Sequence, residues 1–147
     1  MVAVFLVGLA VTALLVTNRA LTHSNSAGLE ITTAEFLIEQ IKELTTLLPV
    51  IDPEDGITQF GPEEASLALY DDLDDFDDAS FSPPINADRQ TLNNFSAYRQ
   101  EVTVQNVSAS NFSLPVTDHT SDVVRVTVKV YLGSRLISEQ NWIRTRY

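Results

Sequence analysis

The first sixteen residues are apolar apart from Gly8 and Thr12, and no charged residue precedes Arg19. A helix over residues 1–16 would be about 24 Å long, against about 30 Å for the hydrocarbon core of a bilayer. The segment is therefore a shallow membrane anchor, or it lacks its first few residues. A removed signal peptide is the alternative, but a basic region before the apolar core is absent, and residues 16–28 contain no convincing small-residue cleavage site.

A second hydrophobic pattern follows, with helical spacing. Over residues 29–48, apolar positions recur three and four residues apart, and the charged side chains between them face the other way. The apolar positions are Ala34, Leu37, Ile38, Ile41, Leu44 and Leu48. This pattern predicts an amphipathic helix with one side on a core. Residues 17–28 are rich in Thr, Asn, Ser and Gly, which are poor helix formers, and predict a polar hinge where the helix bends or unwinds on assembly.

The C-terminal third changes from helical spacing to alternation. Valine or leucine occupies every second position from Val124 to Leu132, which predicts a strand with one buried face. Gly133 and Ser134 then form a two-residue loop, so residues 135–143 should complete a hairpin. An earlier strand is expected near residues 98–107. Three antiparallel strands against the 29–48 helix predict an α+β fold.

The segment between the helix and the sheet is strongly acidic. Eleven Asp and Glu residues lie between Asp52 and Asp78 with no Lys or Arg among them, and Pro and Gly interrupt the segment repeatedly. Residues 52–84 are therefore expected to be an irregular acidic loop. The predicted organisation is a transmembrane or filament-core helix with its hinge at residues 1–28, and an α+β head at residues 29–147 whose sheet occupies residues 98–147.

Composition narrows the function classes. The chain has 147 residues, no cysteine and a net charge of −11, so disulfides and thiolate metal sites are ruled out and nucleic acid is a disfavoured partner. The two histidines, His23 and His119, are far apart in sequence, and no phosphate-binding loop or nucleophile elbow is present. The sequence predicts a protein that is not an enzyme.

Several segments resemble the type IV pilin and pseudopilin family. They are MVAVFLVGLA at residues 1–10, LYDDLDDFDD at 69–78, SPP at 82–84, YR at 98–99 and EVTV at 101–104. The succession is similar to minor pilins of the modification or assembly-initiation type, including those of mannose-sensitive haemagglutinin pili. Pilus and type II secretion-system members are not distinguished by these residues.

The resemblance implies a structural subunit that is stored in the inner membrane with a periplasmic head. Such a subunit joins or primes a filament, which can reach the cell surface, and its partners are other pilin-like subunits that pack against its N-terminal helix. Small residues let helices approach closely in lipid, so the expected contacts are Ala3, Gly8, Ala10 and Ala13. The family's basic leader and first-turn glutamate do not precede these residues here, and we expect Met1 to be an internal methionine.

The acidic run is the one stretch with site-like chemistry. Closely spaced carboxylates suit Ca²⁺, and the candidate ligands are Asp72, Asp74, Asp75, Asp77 and Asp78. The spacing of an EF-hand is not met, because its sixth-position glycine and twelfth-position glutamate are missing. Some pseudopilins bind calcium in a comparable loop, so the resemblance favours Ca²⁺ as a cofactor. A solvated loop and a docking surface for basic partner residues are the alternatives.

A different class of protein also fits these patterns. A bitopic envelope protein would have the same single span, and its acidic α+β domain would bind a cation or another ligand without ever polymerising.

Overall fold

The chain combines one long helix with a small antiparallel sheet, so the predicted α+β class is confirmed. The computed structural model describes residues 2–50, 61 and 66–146. Its contacts divide the chain into two units, Met1–Thr33 and Ala34–Tyr147. Helix α1 (Val2–Thr45) runs through both and is helical across residues 17–28. A bend or unwinding there on assembly stays a prediction.

The sheet belongs to the second unit. Its strands lie in the order β1-β2-β4-β5, all neighbours are antiparallel, and β3 pairs with one end of β2. The strands are β1 (Ser80–Phe81), β2 (Tyr98–Ser108), β3 (Asn111–Pro115), β4 (Val123–Leu132) and β5 (Arg135–Thr145). Short 3₁₀ turns occupy Asp74–Phe76 and Asn93–Phe95.

The core lies between α1 and one face of the sheet. The predicted face of the helix is buried at Ala34, Leu37, Ile38 and Ile41, and the alternating valines of β2 and β4 are buried opposite. Phe76 and Leu73 complete the same cluster from the acidic segment. Each fully buried Leu, Ile or Phe contributes about 1.5–3 kcal/mol, so this interface supplies most of the stability of the second unit.

A buried amide ties three elements of the core together. Gln100 on β2 is fully buried; its Nε2 donates to the Leu37 carbonyl of α1 at 2.8 Å and to the Ile85 carbonyl at 3.2 Å. Its Oε1 accepts from the Ile85 amide at 2.8 Å. Since a buried polar group is costly unless it is bonded, these contacts fix both the depth of the helix and the path of the loop.

The C-terminal end of α1 is bonded to β5. Arg144 donates from Nη1 to the Thr45 carbonyl at 2.7 Å and from Nη2 to the Leu48 carbonyl at 2.9 Å. The last carbonyls of a helix have no partner within it and carry partial negative charge, so a guanidinium suits them. The helix ends at Thr45, three residues before the predicted end, and residues 46–48 form a turn.

The strand predictions hold for β2, β4 and β5, and the loop between β4 and β5 is at Gly133 as expected. Gly133 has a φ of +60°, a conformation that glycine adopts without strain. Strands β1 and β3 were not predicted, because β1 has two residues and every residue of β3 is exposed. Five acidic residues of the predicted loop lie outside the described residues, namely Asp52, Glu54, Asp55, Glu63 and Glu64.

Replacing Gln100 tests the buried amide contact. Gln100→Leu keeps the side-chain volume but leaves the buried Ile85 amide without its acceptor. We expect a loss of about 1–3 kcal/mol in the free energy of unfolding. Urea unfolding of the detergent-solubilised chain, followed by the fluorescence of its single tryptophan, Trp142, measures the change. As a control, Gln90→Leu at an exposed site should change stability by less than about 0.5 kcal/mol. Equal effects of the two variants would contradict the role assigned to Gln100.

Candidate membrane helix and acidic cluster

The first half of α1 presents apolar side chains to its surroundings on every side. Val2 is 74% exposed and both Phe5 and Leu14 are 70% exposed. Ten large apolar residues are exposed between residues 2 and 16, namely Val2, Val4, Phe5, Leu6, Val7, Leu9, Val11, Leu14, Leu15 and Val16. Among the described residues, α1 is one helix that is long and apolar enough to cross a membrane, and no part of its most apolar stretch is buried in the protein.

Two threonine side chains in this half are bonded within the helix itself. The Thr12 hydroxyl donates to the Gly8 carbonyl and, at 3.2 Å, to that of Leu9. The Thr17 hydroxyl donates to the Ala13 carbonyl at 2.9 Å. Because lipid offers no hydrogen-bond partners, these internal bonds allow both threonines to lie in the hydrocarbon region.

The four small residues expected to make helix contacts do not share one face. With 3.6 residues per turn, Ala3 lies about 20° and Ala13 about 60° around the helix from Ala10, whereas Gly8 lies about 160° from Ala10. The three alanines form one face and Gly8 belongs to the other. Among the described residues, no atom outside the local helix backbone lies within 4 Å of a Cβ added at Gly8.

Part of the acidic run folds into a close group. Asp71, Asp72 and Asp75 each have a carboxylate oxygen within 4.8 Å of the others, which is close enough for one cation to be held. Asp75 Oδ2 accepts from the Asp71 amide at 2.9 Å, and Asp72 Oδ1 accepts from the Asp75 amide at 3.1 Å. Asp72 and Asp75 are buried and Asp71 is exposed. The oxygen donors suit Ca²⁺ in kind, and three residues are fewer than its usual six to eight ligands.

The other predicted ligands lie elsewhere along the run. Asp74 is buried within the 3₁₀ turn, and its backbone carbonyl accepts from the Gly61 amide at 3.1 Å. Asp77 Oδ1 accepts from the Val104 amide of β2 at 2.7 Å, and Asp78 is exposed with a φ of +54°. The run is therefore not uniformly solvated, because Asp72, Asp74 and Asp75 are buried.

Asp71 was absent from the predicted ligand set, although it belongs to the same acidic run and directly precedes Asp72. The three-residue spacing of Asp72 and Asp75 suits one side of a 3₁₀ turn, but it gives no signal for Asp71. What the pattern did not reveal is that Leu73 and Phe76 are pulled into the core, which buries the carboxylates beside them.

Asp77 has its acid–base equilibrium altered by its position. Burial raises the pKa of its carboxyl group above the usual value; the Val104 amide opposes this shift, while the charges of Asp78 and Asp118 add to it. The Val102 amide of β2 donates to the carbonyl of Ala79, the residue before β1, at 2.9 Å. Val104 lies two residues further along β2. Asp77, which precedes β1 in the chain, thus supplies an acceptor for a β2 amide that β1 does not reach.

Comparisons with protein-family models, with curated proteins and with solved structures found no match for this chain.

The Asp77 carboxylate should lower stability at neutral pH. A carboxyl group whose pKa is raised on folding destabilises the folded state once it is ionised, and the effect disappears as the pH falls through the raised pKa. Asp77→Asn keeps an oxygen for the Val104 amide without the charge, so the variant should be more stable than the original chain at pH 7. The difference should shrink toward pH 4, as thermal unfolding over this pH range would measure. Asp88→Asn, at an exposed acid, is the control. Lower stability of Asp77→Asn at every pH would contradict this account.

Proposed function

We propose that this chain is a membrane-stored structural subunit of a type IV pilus-like filament, of the minor pilin or pseudopilin kind, without enzymatic activity. The observation that carries the proposal is that one continuous helix has an exposed apolar first half and a second half that is buried on one face. The first half requires a covering from outside the chain, and the second half holds an α+β head.

The amount of exposed apolar surface supports storage in a membrane. Ten exposed large side chains at about 2 kcal/mol each amount to some 20 kcal/mol in water, which exceeds the usual net stability of a whole domain. The segment therefore remains in lipid or against other apolar surfaces at all times. In the proposed cycle the helix lies in the inner membrane with its head in the periplasm, and it leaves only when neighbouring helices replace the lipid.

Small residues on two faces favour a packed bundle over a simple pair of helices. Ala3, Ala10 and Ala13 allow close approach on one side and Gly8 allows it on the other, so one helix can contact more than one neighbour. A filament core needs contacts of this kind on several sides of each helix. Other pilin-like subunits are therefore the proposed partners of residues 1–16.

Photocrosslinking from opposite faces of α1 tests this proposal. Phe5 and Leu14 lie about 180° apart around the helix. We expect benzoylphenylalanine, placed at either position in the full chain in its native host, to give protein adducts, with mass spectrometry locating the bonds in the apolar helices of neighbouring subunits. A control probe at Phe112, an exposed residue of the head, should give no adduct to those helices.

The pattern of adducts separates the alternatives. Protein adducts from only one of the two positions would indicate a pair of helices, and lipid adducts alone from both positions would indicate a lone anchor. Either result would contradict a filament subunit.

The second candidate function is that of a bitopic envelope protein whose head binds a cation and does not polymerise. The specific observation in its favour is the group formed by Asp71, Asp72 and Asp75. A bound Ca²⁺ would offset the repulsion among these carboxylates and link both ends of the turn. Calcium binding is also compatible with a filament subunit, so this test concerns the cofactor and the crosslinking test concerns assembly.

Calcium titration of the full chain in detergent tests the cluster. We expect Ca²⁺ to release heat in calorimetry and to raise the unfolding temperature, because it binds only the folded arrangement. Asp71→Asn removes an exposed charge and leaves the two buried carboxylates in place, so it should weaken the binding several-fold. Asp78→Asn, at an exposed acid outside the group, should leave the affinity unchanged. Absence of both heat and a thermal shift would leave the cluster with a structural role alone.

A further inference from the structure

The charges of the chain are divided between two parts of its sequence. Residues 29–97 contain sixteen of the twenty acidic residues and two of the nine bases. Residues 98–147, which include β2 to β5, contain six of the bases and four acids. The helix and loop of the head are therefore strongly acidic, and the sheet region is slightly basic.

The face of the sheet that points away from the core is polar and shallowly concave. It forms a depression of about 350 Å³, and the side chains around it are half-buried or exposed. Thr103 and Thr127 are cross-strand neighbours in its middle, with Asn141 beside them. These groups offer hydrogen bonds to a partner. The same face carries three cations, Arg99, Arg125 and Lys129, and two acids, Glu101 and Glu139.

Arg125 holds its charge in a fixed place. Its Nη2 donates to Gln105 Oε1 at 2.8 Å and its Nη1 to the Phe112 carbonyl at 3.2 Å, and both acceptors are neutral. Within the described part of the chain Arg125 forms no ion pair. A guanidinium has five N–H donors, so donors remain for a carboxylate. Lys129 has a weak pair with Glu139, with 3.8 Å between Nζ and Oε2. Its other neighbour across the strands, Glu101, pairs with Arg99 at 3.0 Å.

The solvent-facing side of α1 in the head carries the opposite charge at a matching spacing. Glu35, Glu39 and Glu43 are exposed and four residues apart, so they form a line about 12 Å long on the helix. Arg125 and Lys129 are four residues apart on β4, which places them about 13 Å apart. Glu39 pairs with Lys42 at 3.1 Å, while Glu35 and Glu43 form no ion pair among the described residues.

We propose that the outer sheet face of one copy docks the Glu35–Glu43 face of α1 in a second copy. The two surfaces differ, so the contact is head-to-tail and repeats along a row of copies. This docking rests on the proposed function, which brings the copies close together. It adds a contact between heads to the contact between apolar helices. The two exposed surfaces have opposite charges at matching spacing and belong to the same chain, so the occupant is a second copy.

The strength of this contact depends on the membrane. Exposed ion pairs contribute about 0.2–1 kcal/mol each, so two or three of them cannot hold two free heads together. Anchoring in one bilayer raises the effective concentration of each head for its neighbour, and weak pairs then decide which faces meet. The docking is accordingly sensitive to salt.

A charge exchange between full-length chains in liposomes tests the proposal. Because the chain has no cysteine, Ser134→Cys in the exposed β4–β5 turn accepts donor or acceptor dyes, and energy transfer reports association. We expect Arg125→Glu to weaken association at least about threefold, and the double variant Glu35→Lys, Glu43→Lys to do the same. Mixing these two kinds of chain in one liposome should restore the original level, since each repulsive surface then meets its complement.

Matched controls separate the specific contact from net charge. Arg146→Glu is an exposed reversal elsewhere in the sheet region, and Asp88→Lys with Asp122→Lys makes the same charge change as the helix variant. These should change energy transfer by less than about half of the effect of the docking variants. Circular dichroism checks folding, and Arg125→Gln, which keeps an amide donor for Phe112, should give an intermediate loss.

Three results would overturn the inference: docking variants that behave like the controls, a mixture that does not recover, or energy transfer that does not change with salt. The result is also separable from the proposed function. Adducts from Phe5 and Leu14 report the apolar helices alone, so losing them while the charge exchange succeeds would remove the filament and leave the docking of heads. The reverse outcome would remove the docking alone.

Discussion

Helix α1 has to satisfy two different surroundings with one continuous backbone. From residue 34 onward one apolar face of the helix is buried against the sheet, and Gln100 and Arg144 bond its carbonyls, so its position in the head is fixed by both packing and hydrogen bonds. Over residues 2–26 the side chains are exposed. The hydrophobic effect does not distinguish lipid from other helices as the covering. That indifference is what would let such a helix pass from a membrane into a bundle without ever being wetted.

The hydrophobic core of the head is supplemented by buried polar side chains that bond to the backbone. Asn106, buried in β2, donates to the carbonyls of Ser121 and Val123, and Gln100 does the same for α1 and Ile85. A small domain without disulfides has few means of fixing long connections. Each of these amides bonds to the backbone of a connecting segment and fixes its position at one point. The connecting segments can therefore be long while their ends stay attached to the core.

The sequence determined the fold where a single period ran long enough to be recognised. Val124 to Leu132 alternate over nine residues, and the buried face of α1 repeats from Ala34 to Ile41, so both elements were predictable with their faces. The pairs at Ser80–Phe81 and the exposed β3 have no such pattern, because their pairing depends on β2 being present. The acidic cluster was predictable as a concentration of oxygen ligands. Its division into buried and exposed members was not, since that depends on Leu73 and Phe76 packing across the chain.

The acidic residues therefore have three different structural roles, and the burial of each residue determines its role. Asp72 and Asp75 accept backbone amides and shape a turn, and Asp77 satisfies an amide that the sheet would otherwise leave open. These carboxylates form hydrogen bonds within the molecule. Glu35 and Glu43 make no such bond among the described residues, and their charges are exposed at the surface. A net charge of −11 thus overstates the repulsion between two copies that meet through the sheet, because the acids nearest that contact would lie opposite bases. The distribution of charge, rather than its sum, determines which faces of this protein can approach each other.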